Sequence, residues 1–137
     1  MITAIDTNVL VDFIGNDSEF GGPSRVALGR CRDEGAVVVC EVVWAETAAG
    51  VDSPAELRER LTRAGIGFDA MNVESAERAG VAWRQYRRRG GARTRLVADF
   101  LIGAHAQRQA DRLLTRDRGF YRSYFPDLVL VDPLGSQ

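Results

Sequence analysis

Lysine is absent from this chain of 137 residues: all 18 basic side chains are arginine. Guanidinium forks suit bidentate phosphate contacts, but genomic base composition explains an all-arginine set as readily, so the bias assigns no function by itself. Histidine occurs once, at His105, and cysteine twice, at Cys31 and Cys40. Without a CxxC or a Cys/His spacing these residues make no zinc site, and the two thiols read as small buried hydrophobes rather than a disulfide. Long apolar runs are also lacking. The longest run, residues 36–43, is far too short to span a bilayer and contains Glu41. The amino terminus carries no basic n-region and Asp6 interrupts its first apolar stretch, which argues against a secretory signal. A cytoplasmic protein without a membrane partner is therefore expected. The formal charge of −1 creates no general field for polyanions, so nucleic acid would have to be held by a local patch. No repeat, linker or low-complexity segment divides the chain, and 137 residues fit one domain, 1–137, able to bury roughly two-thirds of its unfolded surface.

What is present alternates between strand-like and helix-like segments. Residues 2–5 form a β-leaning run, followed by Asp6-Thr7-Asn8 turn chemistry and a short helix over 9–13 ending near Gly15. Helical spacing over 24–34 stops at Gly35, and the continuous apolar run 36–40 is what a strand covered on both faces looks like. A helix over 42–49 follows. Ser53-Pro54-Ala55-Glu56 then places Ser at N-cap, Pro at N1 and Glu at N3, a capping box that opens a helix to Ala64. A weak strand over 67–71 leads to a helix capped by Ser75 and ended by Gly90-Gly91. The second half reads as an apolar helix over 96–109, a strand over 112–115, an irregular helix over 117–124 and a last strand over 128–131. This alternation predicts a parallel sheet with helices on both faces, whose ligands gather beyond the carboxyl ends of the strands.

Four carboxylates stand out against that frame. Asp6 directly follows the first strand, at the carboxyl edge, although an Asx turn or N-cap explains it equally well. Glu46 sits among apolar and small neighbours with no cation three or four positions away, or else marks the exposed face of a narrow helix. Asp99 interrupts a helix that is apolar nearly all round, where a carboxylate needs an ion pair such as Arg95, the helix dipole, or a metal. Asp117 comes two residues after a short strand, again at a carboxyl edge. Jointly they put four hard oxygen ligands on four elements that a parallel sheet can bring together. Such a cluster would repel itself unless divalent cations neutralised it, and magnesium or manganese suits these donors. An acidic metal cluster of this kind can activate water for attack on a phosphodiester.

Ile5-Asp6-Thr7-Asn8-Val9-Leu10, the helix bearing Glu46, Ala98-Asp99-Phe100-Leu101-Ile102-Gly103-Ala104 and Thr115-Arg116-Asp117 resemble the successive motifs of PIN-domain nucleases, in order along nearly the whole chain. In its compact length the chain further resembles the VapC toxins of bacterial type II toxin–antitoxin systems. The resemblance implies a three-layer α/β/α fold with a central, mainly parallel sheet and magnesium-dependent endoribonuclease activity in which manganese can substitute. It also implies homodimers and inhibition by a cognate VapB-type antitoxin. Position by position, Asp6, Glu46, Asp99 and Asp117 match the family's acidic cluster, with Asp6 and Asp99 foremost as metal ligands. Asn8 and Thr115 match polar positions that would bond a ligand, water or carboxylate, while also being ordinary turn formers. Asp12 reads as a surface charge.

Arg84, Arg87, Arg88, Arg89, Arg93 and Arg95 form a basic stretch without an intervening acid, close to the helix carrying Asp99, and make the candidate RNA phosphate patch. A solvated helix end would show the same composition. Arg116 and Arg118 flank Asp117 and would tether a phosphate or offset the acids. His105 lies six residues after Asp99, about 240° round a helix, and should not share its site. Trp44, Trp83 and Tyr86 read as core or dimer-contact residues. Two other functions compete with the nuclease reading. One is an aspartyl phosphatase with Asp6 as nucleophile, which Asn8 argues against where that pattern expects a second Asp. The other is an RNA- or protein-binding module whose carboxylates are structural.

Overall fold

The computed structural model describes residues 1–91 and 97–135. The chain opens with β1 (Ile2–Ile5), whose last three residues are buried, and turns directly into α1 (Thr7–Ile14). The turn is local chemistry: Asp6 is extended at the N-cap, and its carboxylate accepts from the Thr7 amide. α2 (Gly21–Glu34) begins three residues ahead of Ser24, the start expected from sequence. β2 (Ala36–Val39) is followed by α3 (Glu41–Ala48) and by α4 (Pro54–Arg63). The Ser53 cap is present, its hydroxyl accepting from the Glu56 amide at 3.2 Å. β3 (Ile66–Phe68) lies slightly ahead of the expected 67–71.

α5 (Val73–Arg88) is capped by Asn72 rather than by Ser75. Ser75 is instead buried in the first turn and donates to Gln109 Oε1 at 2.7 Å, because this end of α5 packs on the end of α6 (Val97–Gln109). β4 (Arg112–Leu114), α7 (Arg118–Tyr124) and β5 (Val129–Val131) complete the chain.

The five strands form one sheet in the order β3-β2-β1-β4-β5, and every pairing is parallel. Right-handed crossovers carry the helices of the β1–β2 and β2–β3 connections over one face and those of β3–β4 and β4–β5 over the other. The result is the expected α/β/α arrangement, with a sheet that is wholly rather than mainly parallel. Val37, Val39, Ile5, Leu113 and Leu114 fill the interior from the sheet, and Leu10, Leu57, Leu61, Phe100 and Ile102 from the helices. α6 passes so close to the aromatic cluster of α7 that a Cβ at Gly103 would fall 2.5 Å from the Phe125 ring, so only glycine fits there. Both thiols are buried and unpaired with each other, as expected, and burial pushes each thiol pKa up. Among the described residues no helix is long and apolar enough to cross a membrane.

The direction of strand succession reverses at β1: the chain moves outward through β2 and β3, then returns to place β4 on the other side. In an open parallel sheet this reversal leaves a crevice beyond the carboxyl ends of β1 and β4, because their following helices depart to opposite faces. Asp6 follows one of these strands and Thr115 the other.

Candidate active site

Asp6 directly follows β1 at the strand-order reversal and is only 4% exposed. Its backbone is fixed by continuation of the ladder, the Asp6 amide donating to Leu114 O at 2.9 Å. Its Oδ1 accepts from the Thr7 amide at 2.8 Å. Its Oδ2 accepts from the hydroxyls of Thr115 at 2.7 Å and Tyr121 at 3.0 Å, with the Asn8 amide more distant at 3.3 Å. Burial raises the Asp6 pKa to about 6. The hydrogen bonds from Thr115, Tyr121 and Thr7 oppose that rise, and the negative charge of Asp99 adds to it.

Thr115 is fully buried and bridges two elements, donating to Asp6 and accepting from the Asp117 amide at 2.9 Å. Asn8 performs a similar stitch, with Nδ2 toward Asp6 and Oδ1 accepting from the Arg116 amide at 3.3 Å. Both polar positions selected from the sequence therefore hold the Asp6 carboxylate or the turn beside it. Glu46 is exposed on α3, and its Oε1 accepts from the Thr7 hydroxyl at 2.6 Å, which brings it to the residue next to Asp6. Asp99, half-buried in the first turn of α6, acts electrostatically on both Asp6 and Tyr121, and Asp117 acts on Tyr121. Asp99 and Asp117 therefore act on the Asp6–Tyr121 pair electrostatically, from α6 and the β4–α7 turn, and Glu46 on α3 is joined to the β1–α1 turn through Thr7.

Tyr121 has no counterpart in the sequence reading. It is fully buried on α7, packed against Phe120 and Phe125, and its hydroxyl reaches Asp6. Its spacing of four residues from Asp117 was the available signal, since that interval puts two side chains on one helical face. Burial, followed by the charges of Asp6 and Asp99, pushes its phenol pKa well above the ordinary range.

Asp12 corrects an expectation: it is a buried ion-pair partner and not a surface charge. Its Oδ2 lies 2.8 Å from Arg116 Nε, and the Arg116 guanidinium stacks 4.0 Å from the Phe20 ring centroid. Arg116 thus offsets Asp12, and Arg118 pairs with Asp132 at 3.1 Å. His105 is also accounted for outside the acidic site, buried with Nε2 2.9 Å from Asp69 Oδ2 at the end of β3. Arg87, Arg88 and Arg89 are exposed at the end of α5, with Arg87 over Trp83 and Arg89 over Tyr124. Arg93 and Arg95 lie outside the described residues. Trp44 packs edge-on to Phe68, and Tyr86 edge-on to Phe100, while Trp83 is at the surface.

The donor set tests whether a divalent cation fits. Among the described residues no three acidic, histidine or cysteine side chains are grouped closely enough to hold a metal by themselves. Magnesium does not demand such a cage, since it commonly keeps several waters and takes one or two carboxylates plus substrate phosphates. The donors are hard oxygens, and the buried Asp6 carboxylate disfavours ionisation without a compensating charge. In chemical type, though not as a grouped set, these carboxylate oxygens are donors that a magnesium-type cation takes.

The chain is thus a wholly parallel α/β domain whose buried Asp6 is held by Thr115 across the strand-order reversal. The PIN domain family model matches residues 3–126, and the chain is a member of that family. Among solved structures, VapBC2 of Rickettsia felis, bound to a DNA fragment from its promoter, superposes with a TM-score of 0.75 at 17% identity, covering 96% of this chain and 98% of that one. VapBC-1 of nontypeable Haemophilus influenzae gives 0.75 at 20%, covering 98% and 100%. FitAB bound to the IR36 DNA fragment gives 0.70 at 21%, covering 100% and 98%. No curated protein sequence matches.

Proposed function

We propose that this PIN domain is a magnesium-dependent endoribonuclease, the toxin of a VapBC-type pair, acting in the cytoplasm and restrained by a VapB-type antitoxin. The observation that carries the reading is the buried Asp6 carboxylate held by Thr115 across the β1/β4 reversal, with Asp99 acting on it electrostatically and Glu46 joined to the adjacent Thr7. Asp6 and Asp99 would hold the cation, with Glu46 and Asp117 at its margin and manganese able to replace magnesium. Such an ion, when bound, acts as a Lewis acid toward phosphodiester oxygens and makes water a better nucleophile.

The chain's own residues divide the remaining work. Thr115, Tyr121 and Asn8 fix the orientation of Asp6, and Thr7 steadies Glu46, which solvent exposure leaves accessible to an incoming phosphodiester. Arg87, Arg88 and Arg89, with Arg93 and Arg95 in the segment leading to α6, would bind the RNA backbone without reading sequence. Similarity to the VapBC and FitAB structures and to a toxin–antitoxin complex from Klebsiella pneumoniae supports an antitoxin partner. A homodimer belongs to the same reading.

Incubating total cellular RNA with purified protein in magnesium, manganese or EDTA, beside an Asp99→Asn variant, tests the proposal. Discrete, metal-requiring cuts abolished by the substitution support it. Cutting that survives both EDTA and Asp99→Asn rejects the mechanism, and no cutting across a broad RNA set transfers the site to a binding role.

A further inference from the structure

Tyr121 is a costly residue to bury. A phenol enclosed in an aromatic cluster must place its hydroxyl on a partner, whereas phenylalanine would fill the same space without that demand. The partner it finds is itself a nearly fully buried carboxylate, Asp6. If packing were the whole purpose, a neutral pair would fill this volume without the desolvation that both groups suffer.

The distribution of donors over Asp6 gives the hydroxyl a purpose. Oδ2 takes Thr115 at 2.7 Å, Tyr121 at 3.0 Å and Asn8 at 3.3 Å, while among the described residues Oδ1 takes the Thr7 amide. A carboxylate oxygen has about two lone-pair sites, so Oδ2 is saturated and Oδ1 retains capacity. The two hydroxyls also come from different parts of the fold: Thr115 directly follows β4, and Tyr121 lies within α7. Together they prevent rotation of the carboxyl about its Cβ–Cγ bond.

We infer that Tyr121 is a positioning residue for the divalent cation: its hydroxyl, with that of Thr115, holds Oδ2 of Asp6 and reserves Oδ1 for the metal. The inference rests on the metal-dependent reading above. Partners that orient a ligand in this way typically contribute 10–100-fold to metal affinity or activity. Tyr121→Phe removes the hydroxyl and keeps the ring that packs on Phe120 and Phe125.

The test is Mn²⁺ binding to RNA-free protein, followed by electron paramagnetic resonance, for wild type, Tyr121→Phe, Thr115→Val and an Asp6→Asn control. Magnesium titrations of RNA cleavage accompany it. The expected result is Mn²⁺ affinity weakened about tenfold or more by Tyr121→Phe, and in the same direction by Thr115→Val. The magnesium concentration for half-maximal cleavage should rise, with the rate at saturating magnesium much less affected. Circular dichroism in EDTA checks that each variant is folded; if Tyr121→Phe is not, Thr115→Val decides. Unchanged Mn²⁺ affinity in a folded hydroxyl variant overturns the inference and leaves the nuclease reading standing. Wild type that binds Mn²⁺ through Asp6 but cuts no RNA does the reverse, and wild type that binds no Mn²⁺ overturns both.

Discussion

The Thr7 hydroxyl donates to Glu46 Oε1 over 2.6 Å, tying the first turn of α1 to the middle of α3 beside the buried Asp6. The contact is exposed, so its role is orientation rather than stability. Glu46→Gln keeps an oxygen able to accept from Thr7 and removes the charge. Its melting temperature should stay within about 2 °C of wild type, as exposed substitutions usually change stability by less than 0.5 kcal/mol. RNA cleavage should fall by at least about tenfold, one factor of ten corresponding to roughly 1.4 kcal/mol of transition-state stabilisation. Thermal melts and initial cleavage rates on the same preparations check both statements.

Asp6 links stability to pH. Its folded pKa, about 6, lies above the unconstrained value of 3.8, because burial disfavours the ionised form. A group raised on folding contributes stability below its unfolded pKa and loses that contribution as pH rises through its folded one. Metal-free protein should therefore lose stability between about pH 4 and pH 6 through this group, by on the order of 3 kcal/mol. Urea unfolding in EDTA across this range, set against Asp6→Asn, isolates the effect: the variant should lack that part of the slope. Magnesium added above pH 6 should restore stability to wild type and not to Asp6→Asn.

Arg116 and Asp12 form a partly buried pair whose halves are unequal in consequence. Arg116→Met strands the Asp12 carboxylate, which is 7% exposed, and should destabilise by about 2 kcal/mol. Adding Asp12→Leu should recover most of that loss, since replacing both partners removes the uncompensated charge. Denaturant midpoints for the two single variants and the double variant provide the comparison.

Arg87 and Arg88 are exposed, and their replacement should weaken RNA binding without melting the fold. For each phosphate contact removed, the slope of log affinity against log salt should become shallower by about 0.7 to 1. Filter binding of the Asp99→Asn protein, cleavage-disabled under the proposed mechanism, over a salt series measures this for Arg87→Ala and Arg88→Ala.

Much of this molecule was legible along the chain because its signals are local. Ser53, Pro54 and Glu56 announced α4, and the continuous apolar run at 36–40 announced a strand covered on both faces. Asp99 in an apolar helix and Asp6 and Asp117 at strand ends stood out along the chain, and the fold sets Asp6 at the N-cap of α1 with Asp99 acting on it electrostatically. Strand and helix periodicity, caps and carboxyl-edge positions follow from nearest neighbours, so a linear reading reaches them. Tertiary structure decided everything that depends on which segments meet. It placed β4 beside β1, so that Thr115 bonds to a residue 109 positions away. It buried Asp12 against Arg116, although a charge one turn into a short helix looks exposed from its neighbours alone. It also aimed Tyr121 at Asp6, since a tyrosine among aromatics reads as core until the fold shows where the hydroxyl ends. Burial and long-range hydrogen bonds belong to the packed assembly rather than to any window of sequence, and here they set the charge and orientation of the central carboxylate.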